Sequence, residues 1–100
     1  MTKMEIKMDK NKIKKNSKYS LEETYRMIDD VAKRYGITNK DKDGLFVGNG
    51  DNCDLAKFGN ITLYLEDQQW FLPFVKTWFL YYDDTKENFA EHYKKKAGLI

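Results

Sequence analysis

The 100 residues contain a single cysteine, Cys53, a single proline, Pro73, and a single histidine, His92. A lone thiol closes no internal disulfide, so nothing ties the chain to an oxidising compartment. One His and one Cys fall short of the four ligands of a structural zinc site. A Cys53–His92 nucleophilic pair is also disfavoured, because Asp51 and Asp54 beside the thiol would raise its pKa. No apolar run approaches the ~20 residues needed to span a bilayer. The opening residues MTKMEIKMDKNKIKK alternate charge with apolar side chains and lack the apolar core of a signal peptide. The expectation is a cytoplasmic protein with no membrane segment, no cofactor and no metal, and one that is not an enzyme.

What is present is aromatic and charged. Six Phe, seven Tyr and two Trp supply enough apolar surface for one core, and the length suits a single domain over 1–100. Charge is segregated along the chain. Residues 1–18 hold seven lysines against Glu5 and Asp9, and Lys94, Lys95 and Lys96 lie at the other end, whereas acids outnumber bases between Tyr19 and Tyr93. The pattern is an acidic body with basic ends.

Met4, Ile6 and Met8 alternate with Lys3, Glu5 and Lys7, which predicts a half-buried edge strand over 3–8. Residues 10–18 read as a basic loop or arm. Ser20, with Glu23 three residues on, has capping-box spacing, and Leu21, Tyr25, Ile28, Val31, Ala32 and Tyr35 recur at helical intervals up to Gly36. A helix over 21–35 follows. Leu45-Phe46-Val47 is a short strand within an Asp-, Asn- and Gly-rich stretch. Ile61, Leu63 and Leu65 alternate with Thr62 and Tyr64 as in a strand, and residues 66–69 form a turn.

In WFLPFVKTWFLYY, residues 70–82, a strand ends near Leu72 and a helix begins with Pro73 in its first turn, where the missing N–H costs nothing. A last helix spans 85–97 with Asp84 as its cap. The fold class is α+β, in the order β-α-β-β-α-α with room for one more strand, a short antiparallel sheet packed against helices.

Two loops look chemical at first sight. Asn39-Lys40-Asp41-Lys42-Asp43-Gly44 has the first ligands and turn glycine of a calcium loop, but Gly50 stands where the bidentate Glu belongs. Gly48-Asn49-Gly50-Asp51-Asn52-Cys53 has two glycines of a dinucleotide fingerprint, with Cys53 in place of the third and no helix pattern opening there. Both read as turns. The aromatic stripe at 70–82 exceeds what one core face needs, so some of its rings are expected at an interface.

YSLEETYRMIDDVAKRYGI and FGNITLYLEDQQWFLPFVKTWFLYYDD together resemble the small, acidic, aromatic-rich proteins of phages and conjugative elements, the pool from which anti-CRISPR inhibitors come. That resemblance implies an inhibitor that acts by binding a protein, such as a CRISPR nuclease, with carboxylates standing in for phosphates in a basic groove. The candidate partner-binding residues are Asp29, Asp30, Asp41, Asp43, Asp51, Asp54, Asp83 and Asp84, with Trp70 or Trp78 as apolar anchor. Charge reversal at Asp51 and Asp54 is expected to weaken such a complex without unfolding the domain. The alternatives are a nucleic-acid-binding accessory protein using Lys10–Lys18 and the lysines at 94–96, and a toxin-neutralising immunity protein. A monomer or a small homo-oligomer fits each.

Overall fold

The computed structural model describes residues 1–100. Its elements are β1 (Lys3–Met8), α1 (Lys10–Asn16), α2 (Leu21–Arg34), β2 (Asn39–Lys42), β3 (Leu45–Val47), α3 (Asp54–Glu66), β4 (Val75–Tyr82), β5 (Thr85–Asn88) and α4 (Phe89–Lys96), with a 3₁₀ turn at Leu72–Phe74 leading into β4. The five strands form one sheet in the order β2-β3-β1-β4-β5, every neighbouring pair antiparallel. It follows that β1 runs parallel to β2 with β3 between them, and β3 parallel to β4 with β1 between them. These are two interleaved split β-α-β units, the connectivity of ferredoxin-like sheets, extended by β5 and α4. The domain is α+β, as its composition of elements predicts.

Strand alternation decides where the core lies. Met4, Ile6, Phe46, Trp78 and Leu80 point to one side of the sheet, with Met4 opposite both Phe46 and Leu80 and Ile6 opposite Trp78. They join Ile13 of α1, Ile28 and Val31 of α2, Phe58, Ile61 and Leu65 of α3 and Ala90 of α4 in a single buried cluster. All four helices therefore lie on that side, and the opposite face of the sheet is uncovered. Trp78 is fully buried at the centre, edge-on to Phe71 (4.9 Å between centroids) and Phe89 (5.5 Å) and tilted against Tyr93 (5.3 Å). Each such aromatic pair adds roughly 0.5–1.5 kcal/mol beyond the area it buries.

Helix α2 forms for the reasons its sequence predicts. Ser20 Oγ accepts the Glu23 N–H at 3.0 Å, and the Ser20 hydroxyl reaches Glu23 Oε1 at 3.2 Å. Early acids and late bases suit the helix dipole.

Five segments depart from expectation, and β1, expected at an edge, is the central strand. Residues 10–16 are a helix and not a loop: the Asp9 side chain caps it by accepting the Lys12 N–H (3.1 Å), and Ile13, its one apolar residue, is 2% exposed. One apolar residue in seven leaves no periodicity to read. Residues 61–65 belong to α3, where Phe58, Ile61, Thr62 and Leu65 form the buried stripe and Leu63 is 61% exposed. The apparent alternation includes one residue that faces solvent.

Around Pro73 the expected order is inverted. The strand follows the proline, with Trp78 and Leu80 facing the core and Phe79 and Tyr81 facing away. Thr85–Asn88 is likewise a strand, and α4 is capped by Asn88 accepting the Glu91 N–H (3.0 Å), which leaves Asp84 in the β4–β5 turn. Finally β2, fully exposed and wholly polar, is a strand only through its ladder to β3.

Candidate nucleic-acid interface

The uncovered face of the sheet is built from the residues that alternate with the core. On β1 these are Lys3, Glu5 and Lys7, and across from them stand Tyr81, Phe79 and Thr77 of β4 and Val47 and Leu45 of β3. On the flanking strands Lys86 of β5 is the register partner of Tyr81, and Lys42 of β2 that of Leu45. Lys76, exposed at the rim, lines one cleft with Thr77, Phe79, Glu91, Lys94 and Ile100.

Its electrostatics are lopsided. Lys3, Lys7, Lys42, Lys76 and Lys86 enter no ion pair. Glu5 is the one acid at an outward register position, since Glu87 of β5 is the partner of core-facing Leu80 and Asp41 falls at the register shift of β2. The Glu5 Oε1 accepts the Tyr81 hydroxyl at 2.9 Å. Partial burial, and then this carboxylate, push the Tyr81 phenol above its ordinary pKa, so the hydroxyl stays protonated and donating. Glu91 at the rim is held by Lys95 at 2.9 Å. At the centre Phe79 and Tyr81, two residues apart on one strand, stand with ring centroids 6.2 Å apart and planes at 39°. The Lys86 ammonium rests 4.2 Å from the Phe79 centroid and 5.5 Å from that of Tyr81.

The basic end of the chain crosses to the helix side of the sheet, where Ile13 anchors α1 in the core. α1 follows β1 after one residue and exposes Lys10, Lys12, Lys14 and Lys15. Lys12 Nζ reaches the Pro73 carbonyl at 3.3 Å, and Lys94 Nζ donates to the Val75 carbonyl at the unpaired edge of β4. Burial, together with the nearby charge of Lys12, lowers the Lys94 pKa.

The carboxylates expected to mimic phosphates are scattered. Asp29 and Asp43 meet at Lys40, at 2.7 and 3.1 Å, with Asp41 and Asp30 exposed nearby on β2 and α2. Asp83 and Asp84 occupy the β4–β5 turn on the opposite flank of the sheet, three to four strand spacings away, roughly 15–19 Å. Asp51 accepts the Cys53 N–H at 2.8 Å and lies 4.0 Å from Lys57.

Two of the candidates cannot reach a partner. Asp54 is 4% exposed, and its carboxylate accepts the N–H groups of Asn49 (2.9 Å) and Gly50 (2.8 Å). Burial alone would raise its pKa, but the N–H donors of Asn49, Gly50 and Asp51 and the charge of Lys57 outweigh that and hold it below the usual carboxylate range. The glycine loop at 48–53 thus cradles an anion belonging to the chain itself. A Cβ at Gly48 would lie 2.5 Å from Asp54 Oδ2, so the loop closes only with glycine there. Reversing the charge at Asp54 would break this loop, contrary to the expectation of a fold-neutral substitution. Trp78 is core. Trp70 is half-buried, edge-on to Phe71 at 5.9 Å, and borders a groove with Tyr19, Phe74 and Lys18.

The calcium-like residues 39–44 form the β2–β3 hairpin, and no group of three or more His, Cys, Asp or Glu side chains is placed to hold a metal ion. No helix is long and apolar enough to cross a membrane. No family model matches the sequence, and no curated protein matches it either.

Reading the sequence for carboxylates missed the sheet face. The alternation in 3–8 already sets Lys3 and Lys7 on one side. Nothing local says that Lys42, Phe79, Tyr81 and Lys86 come to the same side, because strand register is a tertiary property.

Proposed function

We propose that this chain is a nucleic-acid-binding accessory protein of the cytoplasm, without catalytic chemistry, whose working surface is the open sheet face. The observation that carries this reading is the set of unpaired lysines, Lys3, Lys7, Lys42 and Lys86 at outward register positions and Lys76 at the rim, with Glu5 the one acid among those register positions. Unpaired cations held on a rigid sheet attract polyanions and gain from counterion release when phosphates replace small ions. The acidic body opposes this little, since most of its carboxylates lie in the flanking turns, the glycine loop and the helices, with Asp41 and Glu87 on the two edge strands.

Fluorescence anisotropy titrations against a labelled oligonucleotide at several salt concentrations test it. The logarithm of the affinity should fall linearly with the logarithm of salt. In a Lys3→Glu, Lys7→Glu, Lys86→Glu variant the slope should shrink by roughly 0.7–0.9 for each phosphate that is no longer neutralised. Binding that ignores both salt and the triple substitution would remove the sheet face from consideration.

A second reading, an inhibitor of an anti-CRISPR or immunity kind that binds a protein, is supported by the β4–β5 turn. Asp83 and Asp84 are exposed and enter no ion pair, and Asp83 holds a positive φ of 50°. It predicts that Asp83→Lys with Asp84→Lys abolishes inhibition of a nuclease while leaving nucleic-acid binding intact.

A further inference from the structure

We infer that the sheet face takes single-stranded nucleic acid in preference to duplex, with bases stacking on Phe79 and Tyr81 and phosphates reaching the lysines on either side. This rests on the nucleic-acid reading above and names the substrate class of the same face.

The argument begins with what the rings are doing there. Strand β4 could satisfy its alternation with any polar residue on the outward side, as β1 does with Lys3, Glu5 and Lys7. It carries Phe79 and Tyr81 instead, half-buried and outside the core cluster, with α4 and Ile100 bordering Phe79 at the rim. A lysine-rich face alone would serve any polyanion; a pair of half-exposed rings adds a demand for something flat and apolar. Duplex DNA or RNA presents phosphates and keeps its base faces stacked inside. A single strand presents both together, which is the combination on this surface.

The layout suits such a ligand. Phe79 and Tyr81 lie in a row along β4, Lys3 and Lys7 stand on the strand to one side and Lys86 on the strand to the other. A strand running along β4 would place successive bases over successive rings with its backbone within reach of an ammonium on each side. Tyr81 is held in place by its hydrogen bond to Glu5, so little rotamer freedom remains to be lost when a base stacks on it. That gives the one acid of the face a positioning role.

Lys86 is the resting cover. With its ammonium 4.2 Å from the Phe79 centroid, it occupies the place a base would take. An exposed cation–π contact is weaker than a base–aromatic stack, so an incoming base displaces the ammonium, which then meets the phosphate that arrives with it.

The test uses three probes of matched length, about twelve nucleotides: labelled oligothymidylate, a strand of abasic sites with the same number of phosphates, and a duplex. Anisotropy titrations at one fixed salt concentration should rank oligothymidylate well ahead of the other two. Phe79→Ala and Tyr81→Ala should each weaken oligothymidylate binding on the order of tenfold or more and leave the abasic strand unchanged. Phe79→Leu and Tyr81→Leu keep apolar bulk on the strand but remove the ring, and should show the same selective loss if circular dichroism confirms that they are folded. Equal affinity for all three probes, or ring substitutions without effect, would overturn the stacking inference while leaving the nucleic-acid reading in place. Failure of all three probes to bind would overturn both.

Discussion

The two faces of the sheet are made of the same strands and treat their side chains in opposite ways. On the helix side, rings are locked edge-to-face around Trp78, and cations find anions, as Lys40 does with Asp29 and Asp43 and Lys96 with Glu66. On the other side, rings of similar size are only half-buried, under the Lys86 side chain, and lysines stand without ion-pair partners. Exposed ion pairs are worth little to a fold, so pairing on one face and its absence on the other is not explained by stability. Apolar rings are best buried, and the fold leaves Phe79 and Tyr81 out. The difference separates a face that holds the domain together from a face that the fold does not need, which is the face proposed to bind.

Substitutions at neighbouring positions can break that division. Trp78→Ala should destabilise by about 3–5 kcal/mol, from the transfer energy of the indole plus the cavity left among Phe71, Phe89 and Tyr93. Phe79→Ala, one residue along the same strand, should cost far less. Urea denaturation of both variants is the check, and comparable losses would show that Phe79 belongs to the core. Gly44→Ala comes next. Gly44 holds φ +81°, and a Cβ there would lie 2.0 Å from the Ile6 carbonyl oxygen, which accepts no movement without opening the seam between the β2–β3 turn and β1. The left-handed conformation alone costs a non-glycine residue roughly 1–2 kcal/mol, so the urea midpoint should fall clearly while the slope stays unchanged.

The Asp54 cradle predicts a pH signature on the helix side. A carboxyl whose pKa is lower folded than unfolded contributes stability fully above its unfolded value, and loses it as pH falls through its depressed folded value. Thermal unfolding of the wild type should therefore steepen its decline in that acid range, and Asp54→Asn, already less stable at neutral pH, should decline less steeply there. Identical acid limbs would mean that the loop does not depend on the charge. The smallest expected effect sharpens the comparison most. Lys7→Glu and Lys86→Glu should change folding stability by no more than about 0.5 kcal/mol, yet alter the salt dependence of oligonucleotide binding. A large stability change at either would mean that the open face takes part in holding the fold.

Much of the architecture is legible without coordinates wherever one element carries a complete local signal. Helix α2 has its cap, its apolar stripe and its stop within one short stretch, and β1 has three uninterrupted alternations. α1 offers one apolar residue, and β2 offers none, so neither announces itself. The candidate site was legible only in part: Lys3 and Lys7 share a side by simple alternation, whereas the acids singled out for recognition prove to be scattered, paired or, at Asp54, buried.

What the sequence alone determined is therefore local: the class of the domain, the ends of α2, the glycine turns and the inward side of β1, because each depends on backbone geometry and neighbours a few residues away. Tertiary structure decided the rest. Residues 61–65 and 75–82 are apolar enough to satisfy either period, and which one forms depends on the surface that covers them: α3 turns Ile61 and Leu65 toward the sheet, and β4 pairs with β1 and β5. The same pairing brings Phe79, Tyr81, Lys86, Lys3 and Lys7 to one face from three strands. Only the register of those strands, set by burial of the opposite face, could place them there.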